Sequence, residues 1–327
     1  MKSVLVGIDV AAEQLVVALD RGRNRVWEGT FANDASGHRK LVRVLGRGGS
    51  RARVCVEATG IYHLELCLTL HAARGIEVMV ANPRTTKDFA RARLQRSKTD
   101  RTDAGALLEF VRRMPFEPWV PPAREILDLR ALSRRISALL VERAQEKNRL
   151  HVEDQLKSRT GAIRASIERH VAALNAEIEA LTEAALEIVL ASPRLRQRFE
   201  LLTSVKGIAT ASAIALLAEL AVLADDMTPR QWVAHAGLDP RHFESGTSVR
   251  VPTRISKVGN RHLRAALFMP AMVASQHEAR VRAYYEKLLE RGKKPMQAIV
   301  AVMRKLLHAI HGMFRTGQPF MGEKFYA

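Results

Sequence analysis

The chain has 327 residues, 52 Lys and Arg against 34 Asp and Glu, and a formal net charge of +18. That length holds two or three domains, and that charge points to a nucleic acid or another anionic surface as partner. Aromatic residues make up only 5% of the chain, which argues against base stacking as the main source of affinity and for arginine contacts to phosphate. Cys55 and Cys67 fall in apolar runs without zinc-type spacing and read as buried reduced thiols, the usage of a cytoplasmic protein. Asp9 cuts the first apolar run short, so no secretory signal is expected. The run Ala211–Ala224, interrupted by Glu219, is too short to span a bilayer, so no membrane partner is expected either.

In chain order, Val4–Val10, Leu15–Asp20 and Arg25–Thr30 read as three short strands. Gly37–Leu45 reads as a helix, Arg53–Glu57 as a strand, Tyr62–Arg74 as a helix and Ile76–Ala81 as a fifth strand. Asn82-Pro83 ends that strand and opens a helix, because Pro suits the first helical turn. Three strands followed by helix–strand–helix–strand–helix is the order of a ribonuclease-H-like α/β fold, although other α/β sheets fit the same pattern. Pro115, Pro118, Pro121 and Pro122 mark a boundary at about residues 114–124. Beyond it, Leu129, Leu132, Ile136 and Leu139, then Ile167, Val171, Leu174, Ile178 and Leu181, keep coiled-coil spacing. Such a seam serves two long helices paired as a hairpin or joined across a subunit interface. Ser192-Pro193 breaks the pattern. The remainder reads as mainly helical, with a Gly/Ser/Arg-rich interruption from Gly237 to Gly259.

Chemistry concentrates in a few places. Asp9 lies in one apolar strand, Glu57 closes another, and Asp100 and Asp103 share one face of a helix by their i, i+3 spacing. Carboxylates in apolar strands are costly unless a cation meets them. Together the four suit one or two Mg²⁺ ions, which take oxygen ligands and can clamp a phosphodiester. Cations including Arg84, Lys87, Arg91, Arg93, Arg96, Lys98 and Arg101 crowd the stretch before and into that helix, as a solvated face or as a phosphate-guiding surface. Val205-Lys206-Gly207-Ile208-Ala209 reads either as a phosphate-binding helix-hairpin-helix or as a plain tight turn. Ser245-Gly246 lies among Arg241, Arg250, Arg254 and Lys257, where a serine can attack a phosphate or a loop can simply bind one.

Gly7-Ile8-Asp9, Glu57-Ala58-Thr59-Gly60, Asn82-Pro83, Lys98-Thr99-Asp100 with Asp103-Ala104, Ala236-Gly237-Leu238, Glu244-Ser245-Gly246 and Met269-Pro270-Ala271-Met272 occur in this order. They resemble the motifs of the DEDD-type insertion-sequence transposases related to the Piv DNA invertase, described as bridge-RNA-guided serine recombinases. The resemblance spans nearly the whole chain. It implies an α/β RuvC/ribonuclease-H-like N-terminal domain (1–124), a helical coiled-coil dimerisation region (125–195) and a mainly α C-terminal transposase domain (196–327). It implies a Mg²⁺-binding tetrad of Asp9, Glu57, Asp100 and Asp103, and Ser245 as nucleophile, with Ser248 as a lesser alternative. The implied partners are target and donor DNA, a noncoding guide RNA and further copies of the chain, as dimers assembling to a tetramer. The implied setting is the bacterial cytoplasm, at the nucleoid. A RuvC-like metal-dependent nuclease or junction resolvase without a serine intermediate is the alternative.

Overall fold

A computed structural model describes residues 3–22, 26–47, 51–58, 60–93, 99–155, 161–245 and 249–325, with backbone alone at 242–245, 249–252 and 325. The chain divides into two compact units, residues 1–121 and 122–327.

The first unit is a mixed α/β layer. Strands β1 (Val4–Val10), β2 (Gln14–Asp20) and β3 (Trp27–Ala32) precede helix α1 (Ala35–Leu45), strand β4 (Ala52–Glu57), helix α2 (Leu64–Ala72), strand β5 (Ile76–Ala81) and helices α3 (Pro83–Ala92) and α4 (Asp100–Arg113). The sheet order is β3-β2-β1-β4-β5; β1 runs antiparallel to β2 and parallel to β4. The third strand extends to Ala32, beyond the expected Thr30, because its pairing with β2 runs from Leu19↔Trp27 to Gln14↔Ala32. Helix α1 starts two residues earlier than periodicity suggests, because the Asp34 side chain caps it by accepting from Gly37 N at 2.7 Å.

Alternation along β1 sorts its side chains between two cores. Val4, Val6, Ile8 and Val10 pack with Leu41 and Leu45 of α1 and Leu66 and Leu70 of α2. The other face of the sheet, with Val16, Ala18, Cys55 and Met79, packs against Ala104, Leu107, Leu108 and Val111 of α4. Gly7 makes the α4 contact possible. A Cβ there would fall inside the contact radii of the backbone at Leu108 N and Ala104 O. The thiols of Cys55 and Cys67 are buried and free, and burial pushes both up to about 12.

The second unit is mostly helical. Its elements are α5 (Arg124–Gln155), α6 (Gly161–Ala191), α7 (Pro193–Thr203), α8 (Thr210–Leu220), α9 (Pro229–His235), a hairpin of β6 (Pro240–Ser245) and β7 (Val249–Ile255), then α10 (Arg261–His277), α11 (Ala279–Glu290), α12 (Pro295–Thr316) and α13 (Gly322–Phe325). Helices α5 and α6 pair antiparallel within the chain: Arg135 bonds Glu177 at 3.0 Å, Arg143 bonds Asn175 at 2.9 Å, and Arg164 meets Asp154. Their adjoining ends supply Leu129, Ile136, Ala185 and Val189 to one core with Leu202, Leu217, Leu263 and Leu306. Gly207, at φ +104°, lets the α7–α8 turn press on α10; a Cβ would lie 3.1 Å from Pro270 O and Ala274 N. That contact accounts for the glycine as a tight packing turn. Among the described residues no helix is long and apolar enough to cross a membrane.

Gly7→Ala is expected to cost the first unit about 3 kcal/mol, since the opposing atoms are helix backbone and cannot step aside. Urea unfolding followed by far-UV circular dichroism measures it; a cost below about 0.5 kcal/mol would contradict the close approach.

Candidate active site

The register that sorts the cores also gathers the acids. Asp9 and Glu57 each stand two residues beyond a position on the α4 face, Gly7 on β1 and Cys55 on β4. The parallel register ends at Ile8↔Val56, so Asp9 and Glu57 are the next pair along adjacent strands, at their carboxyl ends. Helix α4 crosses β1 with Ala104 and Leu108 over Gly7, which brings its first turn, carrying Asp100 and Asp103, toward Asp9. That turn is fixed by a capping box: Thr99 Oγ1 accepts from Thr102 N at 3.2 Å, and Thr102 Oγ1 accepts from Thr99 N at 2.8 Å. Acids in a first helical turn also complement the helix dipole.

The electrostatics register the convergence. Burial first, then the negative charges of Asp103, Asp100 and Glu57, push Asp9 from an ordinary 3.8 up to about 6 against a backbone hydrogen bond from Val10. Thr86, buried on α3, donates its hydroxyl to Glu57 Oε2 at 2.5 Å and orients that carboxylate. The donor set is all carboxylate oxygen, which suits a hard divalent cation. Among the described residues, no three acidic, His or Cys side chains are drawn together tightly enough to hold an ion as they stand; the four like charges repel one another.

The cations expected nearby are placed unevenly. Arg84 and Lys87 are exposed on α3, and Arg84 lies 3.6 Å from Asp88. Arg93 approaches Glu109 at 3.8 Å, and Arg101 approaches Glu28 at 3.9 Å. The Arg84–Asp88 and Arg101–Glu28 pairs are exposed, hold their charges weakly and can yield to a phosphate, whereas Glu109 is mostly buried and also pairs with Arg112 and Arg113. Thr59, Arg96 and Lys98 lie outside the described residues.

In the second unit the Gly237–Gly259 interruption is a β-hairpin. The sequence carried a signal for it, the alternation Val249-x-Val251-x-Thr253-x-Ile255, which the Gly/Ser/Arg content masked. Its backbone places Ser245 opposite Val249 at the far end, Glu244 opposite Arg250, and Arg241 opposite Arg254. Gly246, Thr247 and Ser248 lie outside the described residues, as do the side chains of Ser245 and Arg250. The foot of the hairpin is tightly tied. Ser256 N donates to Asp239 O at 2.9 Å, Ser256 Oγ lies 2.5 Å from Asp239 Oδ1, and Lys257 N donates to Gly237 O at 3.0 Å. Lys257 adopts φ 52°, and Gly259, at φ +133°, leaves no room for a Cβ beside His235 O.

One structural carboxylate lies outside the motifs. Glu219 of α8, with a side chain only 2% exposed, accepts from Arg130 Nε at 3.1 Å, Arg134 Nε at 2.8 Å and Asn260 Nδ2 at 2.6 Å. Burial raises its pKa, but hydrogen bonds and charge from Arg134, Arg130 and Asn260 outweigh that and hold it down at about 2. Asn260 in turn caps α10, its Oδ1 accepting from His262 N and Leu263 N, at the foot of the hairpin. The carboxylate therefore joins α5, α8 and the segment from which the Ser245 strand rises. A lone acid in the apolar run Ala211–Ala224 was the available sign.

Two outcomes follow. In metal-free buffer, folded Asp9 binds its proton more tightly than the unfolded chain does, so its stability contribution is full below pH 3.8 and is lost as pH rises through about 6. Asp9→Asn is expected to unfold at higher urea than wild type at about pH 8, by about 1–2 kcal/mol after screening by water, and at the same urea at about pH 3.5. Equal stability at both pH values would show that the acids do not crowd Asp9. Glu219→Ala, which strands two arginines, is expected to cost about 3–5 kcal/mol in thermal or urea unfolding; a loss under about 1 kcal/mol would mean the network is not a stabilising junction.

Residues 6–157 match the DEDD-type IS110 transposase model, and residues 199–286 match the model for the transposase IS116/IS110/IS902 family. The first match spans all four acids and the second spans Glu219, Ser245 and Asn260. The chain is similar to the pilin gene-inverting proteins of Moraxella bovis and Moraxella lacunata, at 27% identity over 335 aligned residues covering 98% of each chain. It is also 31% identical over 145 residues to the insertion element IS110 uncharacterized 43.6 kDa protein of Streptomyces coelicolor, covering 44% of this chain and 33% of that one. The DEDD transposase family implies divalent-metal use in general. The two transposase matches lie in succession along the chain and the full-length similarity is to gene-inverting proteins; with DNA as its substrate, the chain is a DNA transposase/recombinase enzyme.

Proposed function

We propose that this enzyme cleaves and exchanges DNA strands through a covalent phosphoserine link at Ser245, with Mg²⁺ held by Asp9, Glu57, Asp100 and Asp103, and with an element-encoded noncoding RNA selecting target and donor DNA. The observation that carries the reading is the gathering of Glu57, Asp100 and Asp103 around Asp9, whose carboxyl is pushed up to about 6 by burial first and by their charges next. The sheet order β3-β2-β1-β4-β5, with acids at the carboxyl ends of β1 and β4, supports a RuvC/ribonuclease-H-like domain.

Mg²⁺ would supply charge neutralisation at the scissile phosphate. The chain's own residues do the rest. Ser245 Oγ attacks phosphorus; the Oγ–P bond forms, the P–O bond to the leaving strand breaks, and the leaving oxygen takes up a proton as the serine proton departs to solvent or base. The phosphoserine ester keeps the energy of the broken diester, so the reverse attack by another strand's hydroxyl rejoins DNA without ATP. Arg250 on β7, one position from the Ser245 pair in the register, would supply positive charge for the pentavalent phosphate, and Arg241, Arg254 and Lys257 toward the foot would hold the flanking nucleic-acid backbone. Arg84, Lys87 and Lys98 would guide nucleic-acid backbone toward the acids. The 125–195 helices would join copies of the chain into dimers, which assemble to a tetramer, so that serine and acids are brought together in a defined combination. Base pairing to the RNA would set sequence choice, in the bacterial cytoplasm at the nucleoid.

The test uses the full chain, a plasmid carrying its element with both flanks, and the RNA transcribed from that element. Wild type in Mg²⁺ is expected to give recombinant junctions and a protein–DNA adduct that survives denaturation. Ser245→Ala and Asp9→Ala are each expected to lose both by about 10³-fold or more. Strand exchange by Ser245→Ala would overturn the serine link. Adduct-free cleavage by wild type would favour the nuclease alternative. The thermal shift produced by Mg²⁺ is expected to weaken about tenfold in affinity per pH unit below about pH 6, because binding must displace the Asp9 proton; Asp9→Asn should show little shift at any pH.

A further inference from the structure

A cavity of about 550 Å³ opens at the foot of the β6–β7 hairpin, beside α10 and the start of α12. Its floor is apolar, with Leu238, Ile255, Phe268, Val300 and Met303. Its rim is cationic, with Arg254, Lys257, Arg261 and Arg264. Arg264 Nη1 is engaged with Ala236 O at 2.7 Å and anchors that side of the rim. Arg254, Lys257 and Arg261 are exposed, and among the described residues no carboxylate is paired with them. This contrasts with Arg130, Arg134, Arg194 and Arg198 of the same unit, which all have acid partners. Arg254 also sits directly across the hairpin from Arg241. Like charges in that position weaken a two-stranded ribbon unless an anion lies between them.

An apolar cavity with an uncompensated cationic rim fits a ligand with a flat apolar body and anionic groups at its perimeter. Its size lies within the roughly 300–1,000 Å³ of small-molecule pockets, well below a groove for a duplex. Intact duplex DNA offers only its phosphates, because its bases are stacked. A nucleotide turned out of the stack offers both features: base faces for Phe268 and the methionines, and flanking phosphates for the rim. Resting on the reading of this chain as an enzyme acting on DNA, we propose that the cavity seats one unstacked base of the DNA substrate, with the neighbouring phosphates on Arg254, Lys257 and Arg261. It lies at the root of the strand that ends in Ser245, so a base held there registers the DNA strand relative to that strand.

The experiment compares binding of the full chain, by fluorescence anisotropy, to one mixed-sequence DNA as duplex, as duplex with a central unpaired bulge and as single strand, and to the single-stranded RNA of that sequence. Wild type is expected to prefer the bulged over the perfect duplex by about tenfold, the worth of one stacked base. Phe268→Ala is expected to abolish the preference while leaving duplex affinity intact. Met296→Glu alters an exposed residue at the mouth without touching the core, and is expected to do the same. Arg254→Ala and Arg261→Ala are each expected to reduce the salt slope of bulged-DNA binding by about 1. Equal wild-type affinity for bulged and perfect duplex, or a preference that survives both Phe268→Ala and Met296→Glu, would overturn the proposal and leave the transposase reading standing. A loss confined to RNA would overturn it in favour of an RNA seat. A change in oligomeric state by Met296→Glu with DNA preference unchanged would overturn it in favour of a contact between copies. Absence of any DNA binding by wild type, both alone and with the RNA transcribed from its element, would overturn the proposed strand-exchange mechanism as well.

Discussion

The backbone of α4 lies on the backbone of β1 at Gly7, with no side chain between them. Any residue larger than glycine would lift the helix by at least a methyl radius. That lift would move the first turn of α4, and with it Asp100 and Asp103, away from Asp9. The acid cluster is thus a consequence of a close approach two residues along the strand, and the same approach builds the core of Ala104, Leu107 and Leu108 against the sheet. Packing and chemistry share one contact, so neither can be adjusted without the other.

The cluster stands in a chain with a net charge of +18, and it runs against that charge. Surface arginines pair loosely with nearby acids, whereas among the described residues the charges that act on Asp9 are carboxylates, and it is held partly out of water. A site of this kind is electrostatically unsatisfied until a cation arrives, and the protein surface around it favours polyanions. The arrangement suits an enzyme whose substrate is a phosphodiester and whose metal is carried by carboxylates.

The second unit solves a different problem. A two-stranded hairpin is marginal by itself, so its foot must be held by other elements. Glu219 does this from within the helical core: two arginines of a long helix neutralise it, and the amide of Asn260 spends one end on Glu219 and the other on capping α10. Breaking one member leaves buried charge without a partner, so the network acts as a junction. Adjacent to it, the exposed cations of the hairpin foot, which meet no carboxylate among the described residues, ring an apolar cavity, and their charge suits an anionic ligand.

Hydrophobic periodicity and turn residues determined the strand and helix order of the first unit, the long helix pair and the boundary among the prolines, because each of these is written in local spacing. Asp9, Glu57, Asp100 and Asp103 were singled out as candidates for the same reason: acids in apolar strands and an i, i+3 pair stand out in one dimension. The β6–β7 hairpin was less legible, since Gly, Ser and Arg obscure a short alternation. Only the tertiary structure decided that α4 lands on Gly7 and so brings the acids to Asp9, that Glu219 meets Arg130, Arg134 and Asn260 from three separate elements, and that four cations of the hairpin foot surround one cavity. Those are long-range contacts, set by which faces pack together, and no local pattern encodes the distance between residues that are far apart in the chain.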